Sequence, residues 1–259
     1  MGRWQRQYSA LGDAHKRRLA TVPGKCRRAV EKLERNQFFL NMMLGEAEVP
    51  LGDGAATETE GGVTRPTPAD VEKVRYVLKN LVRDWGAEGG EEREATYAVI
   101  LSELRERFPD RYPIRILVRS FFGSACRTTP PRVLVPGCGL ARLVVEIGAA
   151  GFETEGNEFS YFMLLPASFM LNRSAGVDAW TIYPWVLSTC NQVNQSSQVQ
   201  STNGKNDGQL SDDDQLREAT LPDVDVVEMM HESGGAISMV AGDFVVCNEL
   251  NVRGVRGVV

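Results

Sequence analysis

Histidine is almost missing. His15 and His231 are the two in 259 residues, which argues against a His-centred triad or a His-ligated metal. Cysteine is sparse and scattered: Cys26, Cys126, Cys138, Cys190 and Cys247 are odd in number and never form Cys-x-x-Cys. That excludes a disulfide framework and a zinc knuckle, and favours a reducing compartment. No apolar run approaches the roughly 18 to 20 residues of a membrane span. The opening residues MGRWQR lack an apolar signal core and the Ser or Thr of a myristoylation site, so no secretory leader or lipid anchor is expected.

The net charge of −5 hides an asymmetry. Arg3, Arg6, Lys16, Arg17, Arg18, Lys25, Arg27, Arg28, Lys32 and Arg35 crowd the start of the chain. Such an arm could touch nucleic acid or an import receptor. A solvated helix face is the plainer reading, since no aromatic–basic interleaving of an RNA-binding kind accompanies it.

Periodicity predicts a helix over 25–44, with Val30, Leu33, Phe38, Leu40 and Leu44 as its apolar stripe. A Gly-, Glu- and Thr-rich loop follows at 45–66. In TPADVEKVRYVLKNLVRDW, Thr67 is an N-cap, Pro68 opens the helix and Asp70 completes a capping box. Val71, Val74, Val77 or Leu78, Leu81 and Trp85 recur at helical spacing, and Asn80 and Arg83 share a side. Another helix runs from Glu91 to about Phe108, and 114–131 reads as a strand-like insertion.

Arg132–Pro136 is a short buried strand, and Gly137 to Gly139 form the turn. A helix over 140–150 follows, with Leu143, Val144 and Ile147 inward. A strand over 151–158 and an apolar helix over 159–172 come next. Alternating strands and helices start a parallel α/β sheet. Ser188 to Gln215 offers almost nothing to bury and is expected to be disordered. ISMVAGDF at 237–244 is a third strand ending on an acid. The expected division is an N-terminal helical region, 1–110, and a partial Rossmann-like domain, 132–250.

The chemistry concentrates at strand ends. Gly137 and Gly139 let a ligand approach the backbone. Glu158 ends the next strand, where a doubly wound fold places the acid for ribose hydroxyls. Arg142 occupies the third-glycine position of a dinucleotide loop, whereas the G-x-G-x-(G) spacing, with Ala141 last, is that of Rossmann-like methyltransferases. Asp243 could then accept from an adenine amino group beside the Phe244 ring, and Arg83 could meet a methionine carboxylate. PDVD at 222–225 has two acids with no further ligand, so a loop is preferred over a metal site.

LVPGCGLARLVVEI, GFETEGNEFSYFMLLPASFMLNR, YPW, PDVD and MVAGDF, with LKNLVRDWGAEGGEERE upstream, follow in the order of the carnosine N-methyltransferase family and resemble its wording. The likeness covers most of 25–245 outside the two insertions. It implies a Rossmann-like class I methyltransferase sheet with an N-terminal helical region. It implies S-adenosyl-L-methionine as cofactor, held by Arg83, Gly137, Glu158, Asp243 and Phe244. Asn80 stands where the family carries Gln, and Ala141 where it carries Gly. The implied reaction moves a methyl group to an imidazole nitrogen of carnosine or a related His-containing dipeptide.

In the family, the acid that holds the imidazole lies in a Phe-Phe-Ile-Asp segment, which this sequence lacks. The catalytic residues therefore stay unassigned. The expectation is a truncated form with the first three strands present, the later strands missing and the first strand an open edge. Little or no turnover is expected. The alternatives are a non-catalytic cofactor-binding fragment needing a partner, and a nucleic-acid binder using the basic arm. The expected partner is a small-molecule substrate, with neither membrane nor nucleic acid, and a homodimer is one assembly open to the chain. A cytoplasmic location is expected, with the nucleus as a second.

Overall fold

The computed structural model describes residues 2–45, 66–109, 130–187, 214–231, 233–248 and 257–258. The loop at 45–66, the insertion at 114–131 and the Ser188–Gln215 stretch lie outside these residues except at their margins. The chain forms two compact units, one of Met1–Met42 with Thr181–Ala219, the other of Met43–Trp180 with Thr220–Val259. The helical residues 68–107, grouped from sequence with the N-terminus, belong to the unit that holds the sheet.

The first unit contains α1 (Gly2–Ser9), α2 (Asp13–Arg18) and most of α3 (Val22–Gly45). The helix α3 is where sequence expects it, but its buried face is not. Cys26, Asn36 and Phe39 are buried, while Phe38 and Leu44 are 62% and 51% exposed. The reason is Asn36. Its Nδ2 donates to the Tyr183 carbonyl at 2.9 Å, and its Oδ1 accepts from the Tyr183 amide at 2.8 Å. Lys32 sits over the same ring, 4.2 Å from its centroid. A buried amide satisfied on both sides carries little penalty, yet its polarity masks the apolar period. Asn36→Ala would strand both backbone groups of Tyr183, and the expected loss is about 2 kcal/mol. Urea denaturation checks this, and an unchanged midpoint would show that the pair contributes nothing net.

The second unit begins with α4 (Pro68–Trp85). Thr67 Oγ1 accepts from the Asp70 amide and Asp70 Oδ2 accepts from the Thr67 amide, so the capping box is complete. Val77, Leu78, Leu81 and Trp85 are buried, but Val71 lies outward at 45% exposure. A 3-10 turn at Ala87–Gly89 leads into α5 (Gly90–Arg107).

The sheet follows: β1 (Arg132–Pro136), α6 (Arg142–Ala149), β2 (Glu153–Glu158) and α7 (Tyr161–Asn172). Then come β3 (Trp180–Ile182), β4 (Ala219–Leu221), α8 (Val226–His231), β5 (Ala236–Ala241), α9 (Phe244–Asn248) and β6 (Gly257–Val258). The order β5-β2-β1-β6 is parallel throughout, with Val133 opposite Thr154 and Thr154 opposite Ile237. β1 was expected to be an open edge. Instead Gly257 and Val258 pair with Val133 and Leu134. Val133, Leu134 and Val135 are all buried, as suits an interior parallel strand. β3 and β4 form a separate two-stranded sheet that sequence did not anticipate.

The main core joins Leu101 and Leu104 of α5, Val133 and Val135 of β1, and Val144 and Ile147 of α6. α6 buries Val145 fully while Leu143 is only partly covered. Phe108 closes edge-on against Phe152, centroids 6.1 Å apart. Among the described residues, no helix is long and apolar enough to cross a membrane.

Candidate functional site

The C-terminal ends of β1, β2 and β5 lie side by side, so whatever follows each strand meets at one edge of the sheet. After β1 the backbone turns sharply. Gly137 and Gly139 have φ of 62° and 56°, the left-handed region that glycine enters without penalty. Ala141 shares that conformation at φ 64° and immediately precedes α6. A Cβ built on Gly137 or Gly139 would meet no heavy atom within 4 Å. Space for a ligand is therefore open beside both.

Glu158 is locked against this loop. Its Oε2 accepts from the Gly139 amide at 2.9 Å, and its Oε1 accepts from the Phe159 and Ser160 amides at 2.9 and 2.8 Å. A carboxylate has about four acceptor positions. Three are filled here, so one position on Oε2 remains, beside the open glycine. The Cys138 amide donates to the Asn157 carbonyl at 3.1 Å and ties the loop to β2. Burial, and then the charge of Glu158, push the Cys138 thiol up to about 12. It is protonated at neutral pH and is no nucleophile.

β5 ends at Ala241, earlier than sequence suggests, because Gly242 turns the chain at φ 145° and its amide donates to the Glu158 carbonyl at 3.0 Å. Asp243 then caps α9, with Oδ1 accepting from the Val245 and Val246 amides at 2.9 and 3.2 Å. Its other oxygen has no partner among the described residues. Phe244 starts α9, 36% exposed. Gly137, Gly139, Glu158, Asp243 and Phe244 thus gather at one edge. These features suit a nucleoside: an acceptor for a ribose hydroxyl, an acceptor for an exocyclic amine, and an open glycine turn without a phosphate cradle.

Asn80 and Arg83 stand apart on α4. Asn80 Nδ2 lies 3.9 Å from Met163 Sδ. Asn80 and Met163, with Lys73, Tyr76, Ser160 and Phe162, line a groove of about 430 Å³. Ser160 links this groove to Glu158 through its amide. Arg83 turns its fork to the adjacent Asp84, Nε to Oδ1 at 2.6 Å and Nη2 to Oδ2 at 3.1 Å, and its side chain is 46% exposed. The hydrogen bond with Asp84 holds the guanidinium above its ordinary pKa.

Sequence reading passed over a buried charge cluster behind this site. Asp223, read as part of a loop, accepts from both Arg93 and Arg142. The available signal was Arg142 itself, a charge inside the largely apolar LARLVVEI.

The sequence model of the carnosine N-methyltransferase family matches residues 61–207. The carnosine N-methyltransferase of Rattus norvegicus is 31% identical over 247 residues, 94% of this chain and 53% of its own length. That of Schizosaccharomyces pombe is 36% identical over 175 residues, 68% of this chain and 39% of its own length. The Drosophila melanogaster carnosine N-methyltransferase unmet is 36% identical over 132 residues, 51% of this chain and 26% of its own length. The chain spans about half the length of the rat relative, and less of the other two. The family match, together with the glycine turn and the Glu158 it locks in place, leads to one assignment: the chain belongs to the carnosine N-methyltransferase family.

Proposed function

We propose that this chain carries the methyl-donor half of an S-adenosyl-L-methionine-dependent N-methyltransferase whose acceptor is an imidazole nitrogen of carnosine or a related His-containing dipeptide. One observation carries the reading. Glu158 is fixed by three backbone amides, and its one remaining acceptor position lies beside a glycine turn with open space.

In this reading Glu158 Oε2 accepts from a ribose hydroxyl, Asp243 accepts from the adenine amino group, and Phe244 lies along the ring. Gly137 and Gly139 admit the cofactor to the backbone. Arg83 meets the methionine carboxylate, and Asn80 offers its amide nearby. The cofactor would supply an electrophilic methyl group on a sulfonium. The chain's residues would orient it and exclude water. Such a sheet belongs to the Rossmann-like class I methyltransferases, and β6 occupies the flank of β1 where further strands would add.

A second reading is a cofactor-binding fragment that turns over only with additional protein. Exposed apolar side chains at the same edge favour it: Phe159, Val245 and Val246 are 71%, 60% and 75% exposed.

The test is a thermal melt with and without S-adenosylhomocysteine, followed by methyl transfer from labelled cofactor to carnosine. Ligand at a hundred times Kd stabilises by about 2.7 kcal/mol, a rise of roughly 5–10 °C for a domain of this size. The expected result is that rise with little turnover. Turnover near that of a full-length relative would remove the second reading. No shift at saturating ligand would overturn the cofactor reading itself.

A further inference from the structure

Helix α4 carries Asn80 and Arg83, and its last turn is held in an unusual way. A helix leaves its final carbonyls without intrahelical partners. Here four consecutive carbonyls are met from three separate segments. Arg93 Nη1 donates to the Arg83 and Gly86 carbonyls at 2.6 and 2.8 Å. Arg142 Nη1 donates to the Asp84 carbonyl at 3.2 Å. The Asp223 amide donates to the Trp85 carbonyl at 2.8 Å. Two guanidiniums at a helix C-terminus also complement its dipole.

Both guanidiniums converge on one carboxylate. Asp223 Oδ2 accepts from Arg93 Nη2, and Oδ1 accepts from Arg142 Nη1 at 2.5 Å. Arg142 also donates from Nε to Glu146 at 2.8 Å and lies 5.3 Å from the Trp85 ring centroid. Trp85 in turn donates from Nε1 to the Leu140 carbonyl at 3.0 Å, inside the glycine turn. Arg93 and Arg142 are 7% and 4% exposed. Counted with Arg83, Asp84 and Glu146, the three cations face three anions.

Buried ion pairs add little net stability over apolar packing. What this cluster does is hold α4, the glycine turn and residue 223 in one arrangement. We propose that Asp223 is a positioning residue for the donor site: it clamps the two arginines that place the end of α4, and so fixes where α4 carries Asn80 and Arg83 relative to the glycine turn. This rests on the reading of Arg83 as the group that meets the amino-acid end of the cofactor.

The consequence is specific to one end of the ligand. S-adenosylhomocysteine has an amino-acid carboxylate, and 5′-methylthioadenosine lacks it. Asp223→Asn keeps the shape but removes the charge between two arginines. Isothermal titration of the 259-residue chain with each ligand is the test. Losing one charge-assisted contact to the carboxylate should weaken S-adenosylhomocysteine about tenfold, with methylthioadenosine binding unchanged. A merely structural role would weaken both together. Parallel loss, or no loss of either, overturns the proposal. A wild-type chain that binds neither ligand overturns the cofactor reading instead. Should Asp223→Asn fail to fold, Arg93→Lys decides. A lysine cannot span the Arg83 carbonyl, the Gly86 carbonyl and Asp223 at once. The same one-ended loss is expected, and equal losses again overturn the proposal.

Discussion

Glu158→Ala should abolish cofactor binding and lower stability on the order of 3 kcal/mol, because the amides of Gly139, Phe159 and Ser160 all lose their charged acceptor. The loss reaches two segments at once. The glycine turn loses one of its ties to the end of β2, and Phe159 and Ser160, just before α7, lose theirs. Glu158→Gln separates the two effects. Its oxygen can still serve Phe159 and Ser160, but its amide nitrogen then faces the Gly139 N–H, donor to donor. Most of the stability should return, while binding of S-adenosylhomocysteine stays weakened at least tenfold. Denaturation and titration on the same preparations check both halves. A Gln variant that binds like wild type would show that the charge of Glu158 is not what the ligand reads.

Gly235→Ala should be strongly damaging to the second unit. A Cβ there would lie 2.1 Å from the Gly148 carbonyl oxygen and 2.7 Å from that of Phe152. Both are backbone atoms, so neither can swing aside as a side-chain tip would. Relief requires moving β5, whose register with β2 runs from Ala236 opposite Glu153 to Ala241 opposite Glu158. Overpacking that shifts backbone costs about 3 kcal/mol or more. It would also carry Asp243 away from Glu158. Gly12→Ala is the control, since a Cβ there meets nothing within 4 Å. The expected result is a large fall in the urea midpoint for Gly235→Ala and almost none for Gly12→Ala. Equal midpoints would mean that the loop before β5 yields more easily than its contacts suggest.

What sequence revealed and what it hid follow from one physical distinction. Local rules were legible. Thr67 and Asp70 announced the start of α4, and both bonds of the capping box are present. The glycine turn marked the passage from β1 to α6, and the alternation of strand and helix marked the parallel sheet. Glu158 was picked out as a strand-end acid, and it reaches back to Gly139. Residues whose role depends on distant partners were not legible. Asn36 points inward because Tyr183 awaits it, and nothing near position 36 says so. Arg93, Arg142 and Asp223 were not read as one cluster, because a buried charge is recognised only with its partners in view. β6 covers an edge that periodicity left open, since two residues carry no period.

The same distance between Asn36 and Tyr183 sets an order in time. The two lie 147 residues apart. A ribosome adding roughly 5–20 residues per second separates their emergence by roughly 7–30 s. During that interval α3 has been made, but the backbone groups that satisfy its buried amide do not yet exist. The whole run from β1 to α7 leaves the ribosome first and can begin to close on itself. The unit at the head of the chain therefore waits on residues 181–219 to be completed, although its first helices are the first to be synthesised.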